Sequence, residues 1–386
     1  MKTVGTSFSH ALFVRVAIRC AFIVRVVTQG VRALRSAVVR VLVAMSGGVD
    51  SSVAAALALE AGHEVVGATL KLWGGASDSG CCSVADVEDA RHVADQLGVA
   101  HHVFNYTELF EDHVVGPYVD GHRQGRTPNP CIECNRHVKF GALLARARRL
   151  GFDALATGHH ARLRPGPLGP RLVRGADRDK DQSYVLSMLG RGDLGFLLFP
   201  VGALTKAEVR GLATRLGLGT ADKPDSQDVC FIHSSTGRAG FLAERAPLHA
   251  GVLVDAVSGQ HVGKVDAVEL VTVGQRRGLG LAVDGRRRFA LSVDVEARQV
   301  SVGPPDMARS RTLLLDRWTW VDAPLPVGAR AMSQTSAHGR PVPCTLVDGG
   351  IVFDEVQRLV APGQTVALYD IEEPEAVTGS AVAIAP

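Results

Sequence analysis

The chain has 386 residues, of which 46% are hydrophobic and 21% are charged. That length suits two or three domains with their own cores, and the lack of an uninterrupted apolar run of about 20 residues excludes a membrane-spanning helix. The formal net charge is +3, but residues 1–40 hold seven basic residues and no acid, so the remainder is at −4 and any nucleic-acid binding needs local basic patches.

The first 38 residues precede the predicted fold. They contain six basic residues and no acid, as a mitochondrial presequence does. Because the first predicted strand starts at Val39, the fold requires nothing before it. We expect residues 1–38 to be a disordered or spurious extension, with a targeting signal as the alternative.

From Val39 to about Leu204, short β-branched runs alternate with helical stretches. The predicted strands are 39–45, 64–70, 100–105 and 153–157. The predicted helices are 50–61, 83–97, 107–121 and 136–149. This alternation predicts βαβ units and a parallel sheet that binds ligands at its carboxyl edge. A further helical region is expected over residues 205–245.

The chain changes character near Gly251, where period-two alternation and frequent turn residues indicate strands. We therefore predict an α/β fold in three parts. A parallel-sheet catalytic domain over 39–245 is followed by a small β-rich central domain over 246–308 and a C-terminal β-barrel over 309–386.

Residues 41–55 read VLVAMSGGVDSSVAA, a strand that ends in a glycine turn and leads into a helix. Gly47 and Gly48 allow a ligand to approach backbone N–H groups, and the helix offers its unpaired donors, so the turn suits an anion. A Walker loop would need GxxxxGK[ST], and this turn has no lysine. For the glycines alone, an ordinary strand-turn-helix corner is the alternative.

The motif SGGVDSS resembles the SGGxDS signature of the PP-loop ATP pyrophosphatases, which have an adenine nucleotide alpha hydrolase-like fold. The resemblance implies that the turn cradles the pyrophosphate of ATP while a substrate oxygen is adenylated, with Asp50 close to Mg²⁺. Thr157-Gly158-His159-His160 follows another predicted strand, so we expect it to face the same crevice.

Seven cysteines are spread along the chain, a pattern that does not suit a secreted disulfide framework and favours a reducing cytoplasm. Cys131 and Cys134 lie in GRTPNPCIECNRHVKF, on a proline-rich loop before a helix predicted to begin near Asn135. A thiol at a helix N-terminus among cations has a lowered pKa and suits a nucleophile. The alternatives are half of a zinc site for the CxxC pair and a buried structural thiol for Cys230.

Several segments occur in the order typical of the tRNA-specific 2-thiouridylases: SGGVDSS, LKLW, GRTPNPC with CNRHVKF, ATGHH, DKDQSY, KPDSQDVCFI and GQRRGLGL. The chain resembles this family from about residue 40 to residue 386. The resemblance implies cytoplasmic, ATP-dependent 2-thiolation of the wobble uridine in tRNAs for Lys, Glu and Gln. It also implies a persulfide donor protein, either a cysteine desulfurase or a relay, and no membrane association.

The same resemblance implies roles for individual residues. Cys134 matches the first catalytic cysteine, Cys230 matches the cysteine that carries the persulfide, and Asp50 serves the ATP chemistry. The matching ATP-binding positions are Ala44, Met45, Ser46, Gly47, Gly48, Val49, Asp50, Ser51, Leu70 and Gly158. The segment that meets the target base is Asn129, Pro130 and Cys131. The matching tRNA-contacting positions are His159, Lys180, Asp181, Gln182 and Gln364.

The implied reaction uses ATP and Mg²⁺ to adenylate the uracil C2 oxygen, after which the terminal sulfur of a Cys230 persulfide attacks C2. Cys134 then either releases the sulfur by forming a disulfide or attacks while a hydrosulfide is freed. The sequence leaves both routes open.

The chain departs from some family members at two places. Cys131 stands where they have an aspartate, which opens the alternative of a [4Fe-4S] cluster held by Cys131, Cys134 and Cys230. Ser336-Ala337 stands where they have an Arg-Tyr pair in the barrel, which puts the barrel's contact with tRNA in doubt. The basic residues expected to contact tRNA instead are Arg276, Arg277 and Arg286–Arg288.

Two other functions are compatible with the motifs. One is a different PP-loop ligase that adenylates a small substrate, and it would stay active in a Cys230→Ala variant. The other is an iron-sulfur RNA-binding protein with a regulatory nucleotide loop, and it would make no AMP or pyrophosphate.

Overall fold

The computed structural model describes residues 38–72, 83–225, 229–232, 235–282 and 285–385. Most of the N-terminal extension, Trp73 of LKLW and residues 226–228 of KPDSQDVCFI lie outside the described residues. The described part contains a parallel sheet with helices, a four-stranded sheet and a closed barrel, which confirms the predicted fold class.

Five parallel strands form the first sheet in the order β3-β2-β1-β4-β7. They are β1 (Arg40–Ala44), β2 (Glu64–Lys71), β3 (Ala100–Asn105), β4 (Ala154–Thr157) and β7 (Leu197–Leu198). Ala44 pairs with Ala68 of β2 and with Thr157 of β4. The ends of β1 and β4 therefore lie side by side at the carboxyl edge of the sheet.

Besides a 3₁₀ turn at Val268–Leu270, the described helices are α1 (Val49–Glu60), α2 (Val84–Leu97), α3, α4, α5 (Ser183–Leu186), α6 (Arg191–Leu194), α7 (Lys206–Arg215) and α8 (Gly237–Ala243). Helix α3 consists of Thr107–Phe110, a π-helical segment Glu111–Val115 and Gly116–Arg123. Helix α4 consists of Pro130–Glu133, a π-helical segment Cys134–Leu143 and Leu144–Arg149.

Alternate residues of β1 belong to different apolar cores, because successive side chains of a strand point to opposite faces. Val41 and Val43 pack with α1, α2 and α7, whereas Leu42 packs with α3 and α4. The sheet is therefore covered on both faces, as expected for parallel strands.

Two sequence predictions about helices are wrong. The helix expected near Asn135 begins at Pro130, because the Asn129 side chain accepts hydrogen bonds from the amides that follow and proline is favoured at the first helical position. Residues 205–245 are helical only in α7 and α8. Gly217, with φ of +65°, provides the left-handed conformation that follows the end of α7.

A hairpin that the sequence did not predict follows β4. It consists of β5 (Ala161–Gly166) and β6 (Gly169–Arg174), which pair in antiparallel fashion. Val173 of this hairpin forms a bridge with Ala376 near the C-terminus. The hairpin thereby joins the first domain to the barrel.

The remaining strands form two antiparallel-rich units. The central sheet has the order β10-β11-β8-β9 and contains β8 (Gly251–Asp255), β9 (His261–Val265), β10 (Phe289–Asp294) and β11 (Gln299–Gly303). The barrel closes in the order β12-β15-β14-β13-β16-β17. Its strands are β12 (Arg309–Trp320), β13 (Arg330–Gln334), β14 (Val342–Val347), β15 (Gly350–Arg358), β16 (Thr365–Asp370) and β17 (Val377–Ala383). Across the described residues, no helix has the length and apolarity needed to cross a membrane.

Candidate active site

The turn after β1 forms a glycine cradle at the carboxyl edge of the sheet. Gly47 has a φ of +71°, and a Cβ atom on it would lie 2.3 Å from the Asp86 carbonyl oxygen, so only glycine fits. Ser46 Oγ lies 3.3 Å from Ser51 Oγ, which donates to the Gly48 carbonyl at 3.0 Å. Among the described residues no side chain caps α1, so the first backbone N–H groups of this helix can donate to a ligand. This geometry suits an anion.

The apolar residues of the same motif pack into the protein core and hold the cradle in place. Met45 and Val49 are buried, and Ala44 is half-buried at the end of β1. Leu70, another predicted ATP-binding position, is buried near the end of β2 at the same edge of the sheet.

The end of β4 closes one side of the cradle. A Cβ atom on Gly158 would lie 2.6 Å from the Ser51 amide nitrogen and 2.7 Å from the Asp50 carbonyl carbon. A glycine at this position lets the two segments meet. The ATGHH and SGGVDSS motifs therefore share one crevice, as the parallel strands predict.

Asp50, in the first turn of α1, is bound by two basic side chains from distant segments. Lys206 Nζ lies 2.8 and 2.7 Å from the two carboxylate oxygens, and His160 Nε2 lies 3.1 Å from Oδ1. Burial opposes ionisation of Asp50, but the hydrogen bonds from His160 and Lys206 outweigh it and lower the pKa. Asp50 is thus a carboxylate at neutral pH, as a magnesium ligand must be.

Lys206 also links Asp50 to a second carboxylate, Asp225. Its Nζ lies 2.8 Å from Asp225 Oδ1, which accepts from Arg210 at 2.8 Å, and Lys180 Nζ lies 2.8 Å from Oδ2. Burial raises the pKa of Asp225, but the bonds from Lys180 and Lys206 lower it further than burial raises it. Asp225 is the third residue of KPDSQDVCFI and precedes Cys230 by five positions, so this cluster joins the cradle to the start of that motif.

Internal contacts hold the three residues of DKDQSY that the family resemblance assigns to tRNA. Lys180 belongs to the cluster around Asp225. Asp181 accepts from Arg174 at 2.6 Å, and Gln182 accepts from the His160 amide at 2.9 Å. These contacts shape the crevice, and their role in tRNA binding stays a prediction.

His159, another position assigned to tRNA, is buried. Its Nδ1 lies 2.8 Å from Thr157 Oγ1, and its ring contacts Phe140 and Phe199 at centroid distances of 5.6 and 6.2 Å. Burial lowers the pKa of His159 well below its ordinary value, so the ring is neutral. Because Phe140 lies on α4, this contact places the helix that carries two thiols against the ATGHH segment.

Cys131 and Cys134 lie in the first turns of α4. Cys131 is exposed, whereas Cys134 is buried and begins the π-helical segment. Such segments are rare and frequently occur at functional sites. Asn129 caps the helix, and Pro130 is its buried first residue. These two features hold the predicted base-binding segment in a fixed conformation.

Cys230 is half-buried and is positioned by the aromatic residue that follows it. Phe231 packs against Phe110 at 5.7 Å and Tyr118 at 5.5 Å, both on α3. Cys134 belongs to the same apolar core as Phe231, and Cys230 packs against that core. The two predicted catalytic cysteines therefore border one core, and both are thiols.

Gln364 connects the barrel to the segment before α4. Its Nε2 donates to the Thr127 carbonyl, and the Thr127 amide donates to the Pro362 carbonyl at 2.7 Å. A Cβ atom on Gly363 would lie 3.2 Å from the Pro128 nitrogen, so the start of β16 lies directly against this segment. Contact of Gln364 with tRNA stays a prediction.

The basic residues assigned to tRNA differ in exposure. The exposed ones are Arg276, Arg277, Arg286 and Arg287. Arg288 is buried and donates to the Val262 carbonyl at 3.2 Å, so it supports the central sheet and cannot offer its charge to tRNA as expected. In the barrel, the Ser336 and Ala337 carbonyls accept from Gln334 Nε2 at 2.9 and 3.1 Å.

Comparison with known proteins identifies the family. Two family models match: the tRNA methyl transferase HUP domain over residues 39–234 and the tRNA methyl transferase PRC-barrel domain over residues 239–304. The tRNA-specific 2-thiouridylase MnmA of Roseiflexus castenholzii is 45% identical over 359 residues, which cover 86% of this chain and 96% of that protein. The chain belongs to the tRNA-specific 2-thiouridylase family.

Further comparisons agree with this placement among the 2-thiouridylases. The MnmA of Frankia casuarinae is 44% identical over 344 residues, with 86% of this chain and 96% of that protein covered. The domain descriptions mention methyl transfer, but the full-length relatives cover both domains and decide the family. Among solved structures, the U34-tRNA thiolase NcsA of Methanococcus maripaludis covers 62% of this chain and 73% of its own at 18% identity, with a TM-score of 0.36, too low to bear on chemistry.

Lys206 is the residue of this 2-thiouridylase site that sequence reasoning missed. It lies 156 positions from Asp50, and nothing in SGGVDSS indicates it. A signal was present, because Lys206 occupies the first position of α7 after the Thr205 cap, where the helix dipole disfavours a cation unless a carboxylate is near. Asp225 was likewise missed, whereas the sequence placed His160 in the crevice without indicating its contact with Asp50.

Proposed function

We propose that the chain thiolates C2 of the wobble uridine in tRNAs for Lys, Glu and Gln, using ATP and a persulfide. The observation that carries the proposal is the Lys206 bridge between Asp50 and Asp225, which joins the anion cradle to the segment of Cys230. A nucleotide site coupled to a sulfur-carrying cysteine can activate an oxygen and replace it with sulfur. Family membership supports tRNA as the substrate.

The cradle fits ATP and Mg²⁺. Residues 44–51 would hold the phosphates, with Asp50 close to the magnesium ion, and Leu70 and Gly158 would contact the nucleotide. The positive φ of Gly47 and the start of α1, which no side chain caps among the described residues, support this fit. When bound, ATP supplies the adenylyl group that makes the uracil C2 oxygen a leaving group. The cradle's amides and hydroxyls hold the negative charge of the departing pyrophosphate.

Cys230 supplies the sulfur. In one route, the terminal sulfur of its persulfide attacks C2, and the C2–O bond breaks with its electron pair on AMP. Cys134 then attacks Cys230 Sγ, the sulfur–sulfur bond breaks, and 2-thiouridine is released with a Cys134–Cys230 disulfide that a dithiol reduces. In the other route, Cys134 attacks Cys230 Sγ first, and the hydrosulfide that leaves attacks C2. The shared core beside both thiols supports either order.

A [4Fe-4S] cluster held by Cys131, Cys134 and Cys230 is the alternative sulfur chemistry. The described residues contain no group of three or more His, Cys, Asp or Glu side chains arranged for a metal ion, and Cys131 is exposed while Cys134 is buried. We therefore expect iron-free protein to thiolate tRNA from a persulfide donor.

Anaerobic purification tests this choice, with iron, acid-labile sulfide and activity measured for the wild type, Cys131→Ala and Cys131→Asp. The expected result is full activity of the wild type without iron, and iron-independent activity in both Cys131 variants, with any loss confined to tRNA affinity. Activity that returns only with reconstituted iron and sulfide, and that fails in Cys131→Ala, would establish the cluster.

The partners in this proposal are tRNA and a persulfide donor protein, either a cysteine desulfurase or a relay. The proposed compartment is the cytoplasm, because thiols stay reduced there.

The decisive assay combines purified protein, ATP, Mg²⁺, unmodified tRNA and a persulfide donor, followed by mass spectrometry of the nucleosides. We expect 2-thiouridine, AMP and pyrophosphate in equal amounts from the wild type. Cys134→Ala and Cys230→Ala should make no 2-thiouridine and should stop turning over after the adenylation step. Cys344→Ala is the matched control, because that thiol is buried in the barrel. AMP production by Cys230→Ala without tRNA would favour another adenylating ligase, and tRNA binding without AMP or pyrophosphate would favour an RNA-binding protein.

A further inference from the structure

Cys131 and Cys134 form a CxxC pair on the first turn of α4. Asn129 caps this turn, and the Cys134 amide donates to the Cys131 carbonyl, so the two cysteines are three positions apart in helical geometry. Side chains at that spacing have Cβ atoms about 5–6 Å apart, and a disulfide needs about 3.5–4.5 Å. A small tightening of this turn therefore lets the two sulfur atoms bond.

The three thiols beside the sulfur chemistry differ in their access to solvent. Cys131 is exposed, Cys230 is half-buried, and Cys134 is buried with 6% of its surface exposed. Cys134 and Cys230 also border the apolar core that contains Phe231. A reducing protein must bring its own thiolate onto one sulfur of the bond that it breaks, and of these three residues only Cys131 is exposed.

We propose that Cys131 is a resolving thiol that moves the disulfide of each turnover to the protein surface. This step rests on the proposed function, because it starts from the Cys134–Cys230 disulfide in which both sulfur-transfer routes end. The Cys131 thiolate attacks Cys134 Sγ, the bond between Cys134 and Cys230 breaks with its electron pair on Cys230 Sγ, and a Cys131–Cys134 disulfide forms. The proton of the Cys131 thiol passes through solvent to the departing Cys230 thiolate. An external dithiol then attacks Cys131 Sγ and becomes a disulfide itself, which returns Cys131 and Cys134 to thiols.

The exchange has a direct consequence for Cys230. This residue becomes a thiol again before any reductant acts, so it is ready for the next persulfide sulfur while Cys131 and Cys134 are still oxidised. An aspartate at position 131, which some family members have, cannot perform this step. The extra thiol of this chain thus acts in recovery of the enzyme, and the transfer of sulfur to tRNA does not require it.

A single turnover without reductant tests the proposal in iron-free, full-length protein. The reaction is quenched with acid, free thiols are alkylated, and the protein is digested with trypsin. Cys131 and Cys134 share the peptide TPNPCIECNR, whereas Cys230 lies in the separate peptide 216–238. We expect TPNPCIECNR to be short by two hydrogens in the mass spectrum and peptide 216–238 to be alkylated at Cys230.

Cys131→Ser is the matched variant, because it removes only the attacking sulfur. At saturating tRNA it should make as much 2-thiouridine in the single turnover as the wild type, and its two peptides should remain cross-linked. Cys344→Ala should give the wild-type pattern, because that thiol is buried in the barrel. Cross-linked peptides with alkylated Cys131 in the wild type would overturn the proposal. A wild type that makes no 2-thiouridine in this turnover would instead overturn the proposed function.

A second measurement compares reductants of different size in repeated turnover. With reduced thioredoxin, Cys131→Ser should turn over at least about tenfold more slowly than the wild type, because the remaining disulfide includes the buried sulfur of Cys134. With dithiothreitol, which is small enough to reach that bond, the two rates should agree within about twofold. Equal rates with thioredoxin would show that reductant does not enter at Cys131 and would overturn its role at the surface.

Discussion

The Arg171 guanidinium lies 3.0 Å from the Asp370 carboxylate and joins hairpin β5–β6 to the barrel. The same guanidinium lies 2.8 Å from Glu373 and 3.1 Å from Asp322, and 18% of the Arg171 side chain is exposed. Three barrel carboxylates therefore share one partly buried cation. This group is one of several polar contacts that join the barrel to the first domain, together with the Arg164–Glu373 and Arg191–Asp322 pairs.

Arg171→Met should lower the free energy of unfolding by about 1–3 kcal/mol, because the carboxylates lose a cation at a partly buried interface that water screens only in part. Urea unfolding measures the change. Arg330→Met is the control, because Arg330 pairs with Asp354 on the exposed surface of the barrel, and it should shift the midpoint little. Equal midpoints for the two variants would contradict the interface role.

Gly158→Ala should weaken ATP binding by about tenfold or more, because the added methyl group would clash with the Ser51 amide and push β4 away from the cradle. Titration with ATP measures this effect. Gly190→Ala is the control, because a Cβ atom there would meet nothing within 4 Å among the described residues. Unchanged ATP affinity in Gly158→Ala would show that the cradle tolerates a shift of β4.

Charge reversal at Arg276 and Arg277 should weaken tRNA binding, because both side chains are exposed and the chain outside its N-terminal segment is acidic overall. Each phosphate contact that is lost should reduce the slope of log K against log salt by about 0.9 in a duplex region. Filter binding at several salt concentrations gives the slope. Arg215→Glu is the control, because it reverses a charge at an exposed site on α7. If this variant weakens tRNA binding as much as each reversal at Arg276 or Arg277, the tRNA does not bind specifically at those two arginines.

The stability of the protein should fall between about pH 6.5 and 4 through His122. Burial lowers the pKa of His122 to about 4, and its Nδ1 lies 3.1 Å from the Glu269 carbonyl. The unfolded chain binds a proton at a higher pH than the folded protein, so the contribution of this neutral imidazole is complete above pH 6.5 and is lost as the pH falls.

In His122→Gln this part of the pH dependence should disappear. The difference in unfolding free energy between the wild type and the variant should therefore shrink by roughly 1–3 kcal/mol from pH 7 to pH 4. Urea unfolding at several pH values provides the comparison. Parallel pH curves for the two proteins would argue against a neutral buried His122.

The cradle could be predicted from the sequence because its parts are local or follow from a general rule of parallel sheets. Gly47 and Gly48 lie between a strand and a helix, and Gly158 ends another strand at the same edge. Parallel strands bring such ends together. The motif order also identified Cys134 and Cys230 as candidates, and their roles stay predictions.

Long-range contacts account for what the sequence did not predict. Lys206 reaches Asp50 only after α7 packs beside α1, and no local pattern encodes that packing. The hairpin β5–β6 contains RPGPLGPR, whose prolines and glycines indicate a loop, and its pairing is stabilised by arginines that bind barrel carboxylates. The early start of α4 was missed because its cap, Asn129, lies between two prolines.

The π-helical segment Cys134–Leu143 lets α4 hold surplus residues behind the Cys134 thiol. In a π-helix each amide bonds five residues back, so each residue turns the chain less than the 100° or so of an α-helix. Six π-helical steps separate Cys134 from Phe140, and they turn through nearly the same angle as five α-helical steps. The helix can therefore lose one residue here, return to α-helical geometry and still present Cys134 and Phe140 in nearly the same relative orientation.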